Sequence, residues 1–403
     1  MAGGGRPAWE EMIAAWERHF PLLEELAVTD QDPVWHGEGH VAIHTRMVLE
    51  EIRRLPPRDS GQPPETALIL QLAAVFHDIG KPLTTRWREP LDGGPARVVS
   101  PRHAEAGRNY LCLRLAALGL PWEVERAVLA LTALHHHPRR LVMDDAPPAL
   151  WRRLACQCPP RLLFDLETAD LRGGVCHDLE GQLEILDLFR MRCMELDIWD
   201  NPDPWGDWRQ AMDAAFPGRS PAFLHHALAA AISDAAAGLI HSVEEGIARA
   251  WQLKNPAPEF VLLWGPSGSG KSEWVHRHGG EADVISLDDL REEVAGKRDD
   301  QSMNGQVFQE AKEQVKRHLR AGGGGRVIFD ATNLRRELRS FLLELASDYG
   351  ATTTIVAMRT PLAELESRNR GRPHPVPRSV LARQCERLEW PEAHEAHKLI
   401  IVR

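Results

Sequence analysis

Two sets of residues in this 403-residue chain have the types and spacing for phosphate chemistry. The first is Gly265-Pro-Ser-Gly-Ser-Gly-Lys-Ser272, directly after the apolar run Phe260–Trp264. It fits the phosphate-binding loop pattern G-x-x-x-x-G-K-[ST] at every fixed position. The backbone of Gly265, Ser267, Gly268, Ser269 and Gly270 can turn its N–H groups toward phosphate oxygens, and the following helix adds the positive end of its dipole. Lys271 can reach the β- and γ-phosphates, and Ser272 can ligate Mg²⁺. The loop specifies ATP or another nucleoside triphosphate with Mg²⁺ and leaves the phosphate acceptor open.

The residues downstream supply groups for an acceptor. Val284–Leu287 reads as a short strand that runs into Asp288-Asp289-Leu-Arg291. A carboxylate at the C-terminal edge of a parallel strand lies over the nucleotide, where Asp288 can take the proton of an attacking hydroxyl. The competing role for such an Asp is to cap a helix. Val327–Asp330 is a second strand ending in a carboxylate, followed by Ala-Thr-Asn333. Leu362–Arg370 reads as a helix that leads to Arg372, and Arg368 and Arg372 are candidates for a lid over the phosphates. Arg335, Arg336 and Arg339 form a further basic cluster that can contact phosphates or simply face solvent.

The second set lies in the N-terminal half: His44, His77-Asp78, His103, His135 and Asp170. An Asp beside a His at a Gly/Pro helix stop is a poor core sequence unless a positive charge sits there. A divalent metal bound by imidazole and carboxylate answers that need. His36 and His40 are alternatives to His44, and His136 to His135. Lys81, after the doublet, can pair with a phosphate oxygen or sit in solvent. Imidazole-rich ligation favours Mn, Fe, Co, Ni or Zn over Mg, and divalent ions held there activate water and screen a phosphoryl group.

The elements that must position these groups divide the chain. Residues 1–200 read as all-helical, with His and Asp gathered at helix ends, and 83–102 as a loop. Met191–Leu196 reads as a continuation of the Pro159–Leu171 helix. Residues 201–255 read as a linker and helical connector, Pro-, Gly- and Trp-rich at first and Ala-rich later, with a break at Asn255–Pro258. Residues 256–403 alternate strand and helix, which gives a parallel sheet covered by helices. Of 48 basic and 58 acidic residues, 22 of each lie from Glu259 onward, so the first 258 hold 26 basic and 36 acidic. The six cysteines form no C-x-x-C pair, and Cys156 and Cys158 read as buried thiols. The N-terminus has no apolar signal core and no run reaches membrane-spanning length, so a cytoplasmic protein is expected.

The order H…HD…D, with Leu72-Ala-Ala-Val-Phe-His77-Asp78-Ile-Gly-Lys81 at its centre and Asp170 in Glu-Thr-Ala-Asp-Leu-Arg-Gly, resembles the HD phosphohydrolases. The nearest likeness is to the HD modules of tRNA nucleotidyltransferases. That resemblance implies one metal on His44, His77, Asp78 and Asp170, and a second held with help from His103 and His135. Ser286-Leu-Asp288-Asp289-Leu-Arg291, Asp330-Ala-Thr-Asn333-Leu and Glu366-Ser-Arg368-Asn-Arg-Gly-Arg372 resemble the kinase domain of phage-type polynucleotide kinases. By that likeness Asp288 deprotonates a 5′-OH, Arg291 binds the acceptor's 3′-phosphate, and Arg372 with Arg368 contacts ATP. The inserted residue after Asp330 and Pro373 after Arg372 depart from the pattern. The fusion of the two is similar to the bifunctional HD–polynucleotide kinase end-healing family. It implies an all-α HD domain followed by a P-loop kinase domain with a parallel β-sheet. It also implies RNA or DNA ends as substrate, removal of 2′,3′-cyclic, 2′- or 3′-phosphates, 5′-OH phosphorylation, and a separate ligase to seal them.

The alternative enzyme is an HD nucleotidase fused to a small-molecule, nucleoside-like kinase, which the acidic N-terminal half favours. An HD-like domain that only binds nucleotide and regulates the kinase is opposed by the intact His/Asp set. An ATPase switch is opposed by Asp288 with Arg291.

Overall fold

The apolar run ahead of the phosphate-binding loop reads as a strand covered on both faces, because Phe260 to Trp264 leave no polar face for water. The computed structural model describes residues 8–403 apart from 57–63, 90–92, 95, 254–255, 297–301, 322–323 and 373–374. The first seven residues, Asn255 of the second break and Pro373 beside Arg372 therefore lie outside the described residues. The chain divides into two units, residues 1–204 and 205–403.

In the first unit, the helix Thr66–Phe76 is apolar nearly all round and buried from Ile69 to Phe76 except at Gln71. It packs against the helices Val41–Arg54, Trp122–Leu134 and Pro160–Arg172, and Trp122–Leu134 packs in turn on His103–Leu111. The ends of these helices carry the His/Asp series. The turn after Phe76 is held tight against the His103 helix: a Cβ on Gly80 would stand 2.1 Å from the His103 carbonyl oxygen. Only glycine allows that approach.

The expectation of an all-helical first half needs a correction. Within 83–102 an antiparallel ribbon forms from β1 (Arg86–Arg88) and β2 (Arg97–Val99), with Trp87 opposite Val98. The Gly/Pro-rich segment between them masks the alternation. Met191–Leu196 does not continue the Pro160–Arg172 helix; it ends a separate helix, Leu179–Glu195, after the break at Gly173-Gly174. The His103 helix stops at Leu111, and Leu115–Leu118 forms a short 3₁₀ turn.

In the second unit, three connector helices, Gly206–Ala215, Pro221–Ala236 and Val243–Ala250, pack on one another. The first of them lies within the stretch read as a linker. A five-stranded parallel sheet follows: β3 (Glu259–Trp264), β4 (Asp283–Ser286), β5 (Arg326–Asp330), β6 (Thr352–Met358) and β7 (Lys398–Val402), in the order β4-β5-β3-β6-β7. The loop strand β3 is central, and Phe260 to Trp264 are all buried. Val261, Leu263, Ile328, Val356 and Met358 form one core with Trp274 of the loop helix. Among the described residues, no helix is long and apolar enough to cross a membrane. The six cysteines are free thiols; Cys158 is buried, but Cys156 is exposed, against expectation.

Candidate active sites

The helix-end histidines of the first unit point their rings at one another in a consistent way. His77 Nδ1 lies 2.9 Å from the Ala74 carbonyl, His103 Nδ1 2.7 Å from that of Ser100, and His135 Nδ1 2.9 Å from that of Thr132. In each case the acceptor is three residues earlier, so Nδ1 donates to it and Nε2 faces inward. Around these atoms, His44 Nε2 is 2.8 Å from Asp170 Oδ1, His77 Nε2 is 3.3 Å from Asp78 Oδ2, and His103 Nε2 is 3.1 Å from Asp78 Oδ1. His77 Nε2 and Asp78 Oδ1 are buried without a well-aligned hydrogen-bond partner among the described residues. Buried polar atoms left so are costly, and a divalent cation satisfies both.

Two groups of side chains that can hold a metal ion share this space. His44, His77 and Asp170 converge within 4.8 Å, as do His103, His135 and His136. The sequence left His135 and His136 as alternatives; both rings reach His103, with Nε2–Nε2 separations of 3.4 and 3.2 Å. Burial would raise the carboxyls of Asp78 and Asp170, yet Lys81 and His77 hold Asp78, and His44 and His77 hold Asp170, well below the usual carboxylate range. Burial pulls His135 well below the usual imidazole value, with His136, His77 and His103 adding to the effect. Burial would lower His77 and His44, yet Asp78 and Asp170 raise His77 to about 10, and Asp170 and Glu38 raise His44. Metal binds neutral imidazole and ionised carboxylate, so an ion there would displace those protons. Lys81 is buried rather than in solvent, with Nζ 2.6 Å from both Asp78 Oδ2 and Gln31 Oε1.

The sequence reading missed Glu38. Its Oε1 lies 2.9 Å from His44 Nδ1 and 3.0 Å from His36 Nδ1, and its Oε2 accepts from the Val175 N–H at 2.8 Å. Burial would raise its carboxyl, but those hydrogen bonds hold it far below the ordinary range. His36 therefore joins the site through Glu38. His40 does not: it precedes the helix, half-exposed, 3.4 Å from Asp30.

In the second unit, the loop between β3 and the helix Lys271–His278 places Gly265, Gly268 and Gly270 at φ 148°, 83° and 96°. Those values are strained for any other residue. The Gly265 N–H donates to the Thr332 carbonyl at 3.1 Å, and that of Ser267 to Gln384 Oε1 at 2.8 Å. Ser269 is 1% exposed, and its backbone carbonyl accepts from Thr360 Oγ1 at 3.0 Å. Lys271 Nζ folds onto the Gly265 and Pro266 carbonyls at 2.8 and 3.0 Å. Burial lowers Lys271 to about 8, although part of the residue stays exposed; Asp330 and Asp288 oppose that shift and Arg372 adds to it. Asp330, Asp288 and Arg372 are thus near enough to act on Lys271 electrostatically.

Ser286 caps the next helix by accepting from the Asp289 N–H at 3.2 Å. The capping role falls to Ser286, which leaves Asp288 to pair with Arg291. Arg291 also donates to Asn304 Oδ1 at 3.1 Å. Ser272 Oγ stands 3.4 Å from Asp330 Oδ2, the spacing of two groups that can share one Mg²⁺. Burial raises Asp330 somewhat, and Lys271 opposes that. Arg368 pairs with Glu364 at 2.5 Å, and its NH1 lies 3.3 Å from where a Cβ on Gly270 would stand. The cluster at 335–339 contributes no phosphate contact through Arg339, which is fully buried. Its Nε and NH2 bond both Glu395 oxygens at 2.7 and 2.9 Å, and its NH1 reaches the Asn333 carbonyl. Asn333, left-handed at φ 46°, donates to the Leu263 carbonyl at 2.7 Å. Arg339 braces this turn through the Asn333 carbonyl.

A helical domain with His/Asp ligands at its helix ends, followed by a parallel-sheet domain with a phosphate-binding loop, defines a fused HD and P-loop protein. A family model of the HD domain matches residues 41–170, and one of the AAA domain matches residues 260–391. The first match opens on the His44 helix and ends on Asp170. The multifunctional CCA protein of Methylococcus capsulatus is 30% identical over 127 residues, 32% of this chain. The matched stretch spans 27% of that protein's length. HD domains bind divalent metals and P-loop kinases use ATP with Mg²⁺; the two domains together support a bifunctional phosphohydrolase–kinase.

Proposed function

We propose that the protein heals broken RNA or DNA ends in the cytoplasm: the HD half removes 2′,3′-cyclic, 2′- or 3′-phosphates, and the P-loop half phosphorylates 5′-OH ends. The observation that carries this reading is the Asp288–Arg291 pair beside Lys271, free of capping duty, on a chain that also bears the His/Asp cluster. In the kinase reaction Asp288 takes the proton of the 5′-OH as its oxygen bonds the γ-phosphorus and the bond to ADP breaks. Lys271, Arg368 and Arg372 hold the phosphates, Ser272 with Asp330 holds Mg²⁺, and Arg291 turns to the acceptor's 3′-phosphate. In the HD half, His44, His77, Asp78 and Asp170 hold one divalent ion, and His103 with His135 and His136 a second. Such ions activate water and offset phosphoryl charge. Lys81 keeps Asp78 ionised. The repaired ends are those a separate ligase joins.

The test is an RNA with 5′-OH and 2′,3′-cyclic phosphate ends, incubated with ATP, Mg²⁺ and Mn²⁺. Both ends should change. Asp288→Ala should lower 5′ phosphorylation by at least about 10²-fold and leave 3′ processing intact, and Asp78→Ala should do the reverse. Absence of label transfer from γ-labelled ATP to the 5′ end overturns the kinase assignment. The acidic first half, with 36 acidic against 26 basic residues, favours one second reading, a small nucleoside-like acceptor. Phosphorylation of free nucleosides in preference to oligonucleotides would establish it.

A further inference from the structure

Above the His/Asp cluster opens a cavity of about 470 Å³. Asp78, His103 and Asp170 line it, and so do Trp35, Arg88 and Arg97, which the chemistry above does not use. Trp35 sits on a hydrogen-bonded turn. Its N–H donates to the Asp32 carbonyl at 3.1 Å, the His36 N–H to the same oxygen at 2.9 Å, and the Gly37 N–H to the Val175 carbonyl at 2.9 Å. The Trp35 residue is 44% exposed. An exposed indole on the wall of a cavity that charged side chains also line is a stacking platform, since every base offers a π-face.

The ribbon supplies the charge. Arg97 is neutralised by Asp32, with Nε and NH2 at 2.8 and 2.5 Å from Oδ2. Arg88 is exposed, and its guanidinium has no ion-pair or hydrogen-bond partner among the described residues. With Arg86, the two short strands carry three arginines in a half of the chain that is acidic overall. An unpaired guanidinium on the wall of a phosphoester site suits a second phosphate.

We propose that Trp35 and Arg88 form a nucleotide subsite: the base of the terminal nucleotide stacks on Trp35, and the phosphate on its 5′ side pairs with Arg88. The inference rests on the reading of the HD half as a processor of nucleotide 3′ ends. It makes the preferred substrate a chain end rather than a mononucleotide or a simple phosphate ester.

The metal-loaded full chain is assayed on p-nitrophenyl phosphate, a nucleoside 3′-monophosphate and a dinucleotide 3′-phosphate. Trp35→Ala should lower the kcat/KM preference for the nucleoside over the aryl phosphate about tenfold, mainly through KM, and Trp35→Phe should restore most of it. Arg88→Ala should lower the preference for the dinucleotide over the mononucleotide about tenfold, with partial rescue by Arg88→Lys. Unchanged preferences, or equal loss on all three substrates, overturn the subsite. Failure of the unaltered protein to hydrolyse any of the three overturns the hydrolytic reading instead. The subsite is then judged by anisotropy of a trinucleotide carrying a 5′-fluorescein and a 3′-phosphate: about tenfold weaker binding to Trp35→Ala supports it, and equal binding overturns it.

Discussion

His44 differs from the other site histidines in what stands behind it. His77, His103 and His135 are oriented by carbonyls one turn back, whereas His44 is backed by the Glu38 carboxylate at 2.9 Å. A carboxylate behind a metal-binding imidazole fixes the ring and raises its basicity. Glu38→Gln keeps the shape and removes the charge. It should weaken binding of Mn²⁺ to the HD half about 10- to 100-fold, as measured by metal titration, while 5′ phosphorylation is unchanged. Retention of the unaltered affinity would mean that Glu38 only anchors the Val175 backbone. The His77-Asp78 doublet was legible because a carboxylate beside an apolar helix demands a compensating charge, and Glu38 was not. It sits between Gly37 and Gly39 in a loop with no periodicity, and only the chain returning at Val175 folds it under His44. Arg339 misled in the opposite direction: a basic cluster on an exposed-looking helix gives no sign that one member is sealed against Glu395.

The sheet shows where periodicity suffices. β3, β5 and β6 are long β-branched or apolar runs, and they stand where the sequence put them; β7 follows loop sequence at the chain end and was not identified. Burial of β7's approach has a consequence for pH. His397 accepts at Nδ1 from the Thr353 N–H at 3.0 Å, and its ring packs on that of His226 in the connector helix Pro221–Ala236, 4.8 Å between centroids. Burial lowers His397 to about 4, with the His226 and His225 charges adding to it, and burial lowers both of those histidines as well. A folded value below the ordinary 6.5 means that the unfolded chain binds more protons between the two. Stability is therefore full above about pH 6.5 and is lost as pH falls through 6.5 toward 4, with a single-site ceiling of about 3 kcal/mol. Asn at 397 keeps an acceptor near Nδ1 and cannot titrate. Urea unfolding at pH 5 and pH 7.5 should show a smaller difference for His397→Asn than for the unaltered chain, and an equal or larger one would exclude His397 as the titrating group.

Each unit holds a full set of groups for one chemistry: the HD residues fall between Gln31 and Val175, and the P-loop residues between Gly265 and Glu395. Each also has its own buried core. The connector helices bury Met212, Phe216, Phe223 and Ala231 and set His226 against His397. The alanine-rich composition that marked 222–253 as helical said nothing about which neighbour it would join; that depends on which side chains meet, not on propensity. A fragment of residues 205–403 should fold and phosphorylate 5′-OH ends within about twofold of the full chain, if the units are energetically independent. A fragment of 256–403 loses the cover over His397. Its melting midpoint should fall by about 4–8 °C, corresponding to about 2 kcal/mol for a domain of this size. Calorimetry on the two fragments, with label transfer from ATP, reads both outcomes. Equal midpoints would show that the connector is only tethered to the sheet, and loss of kinase activity in 205–403 would show that the P-loop half depends on the HD half.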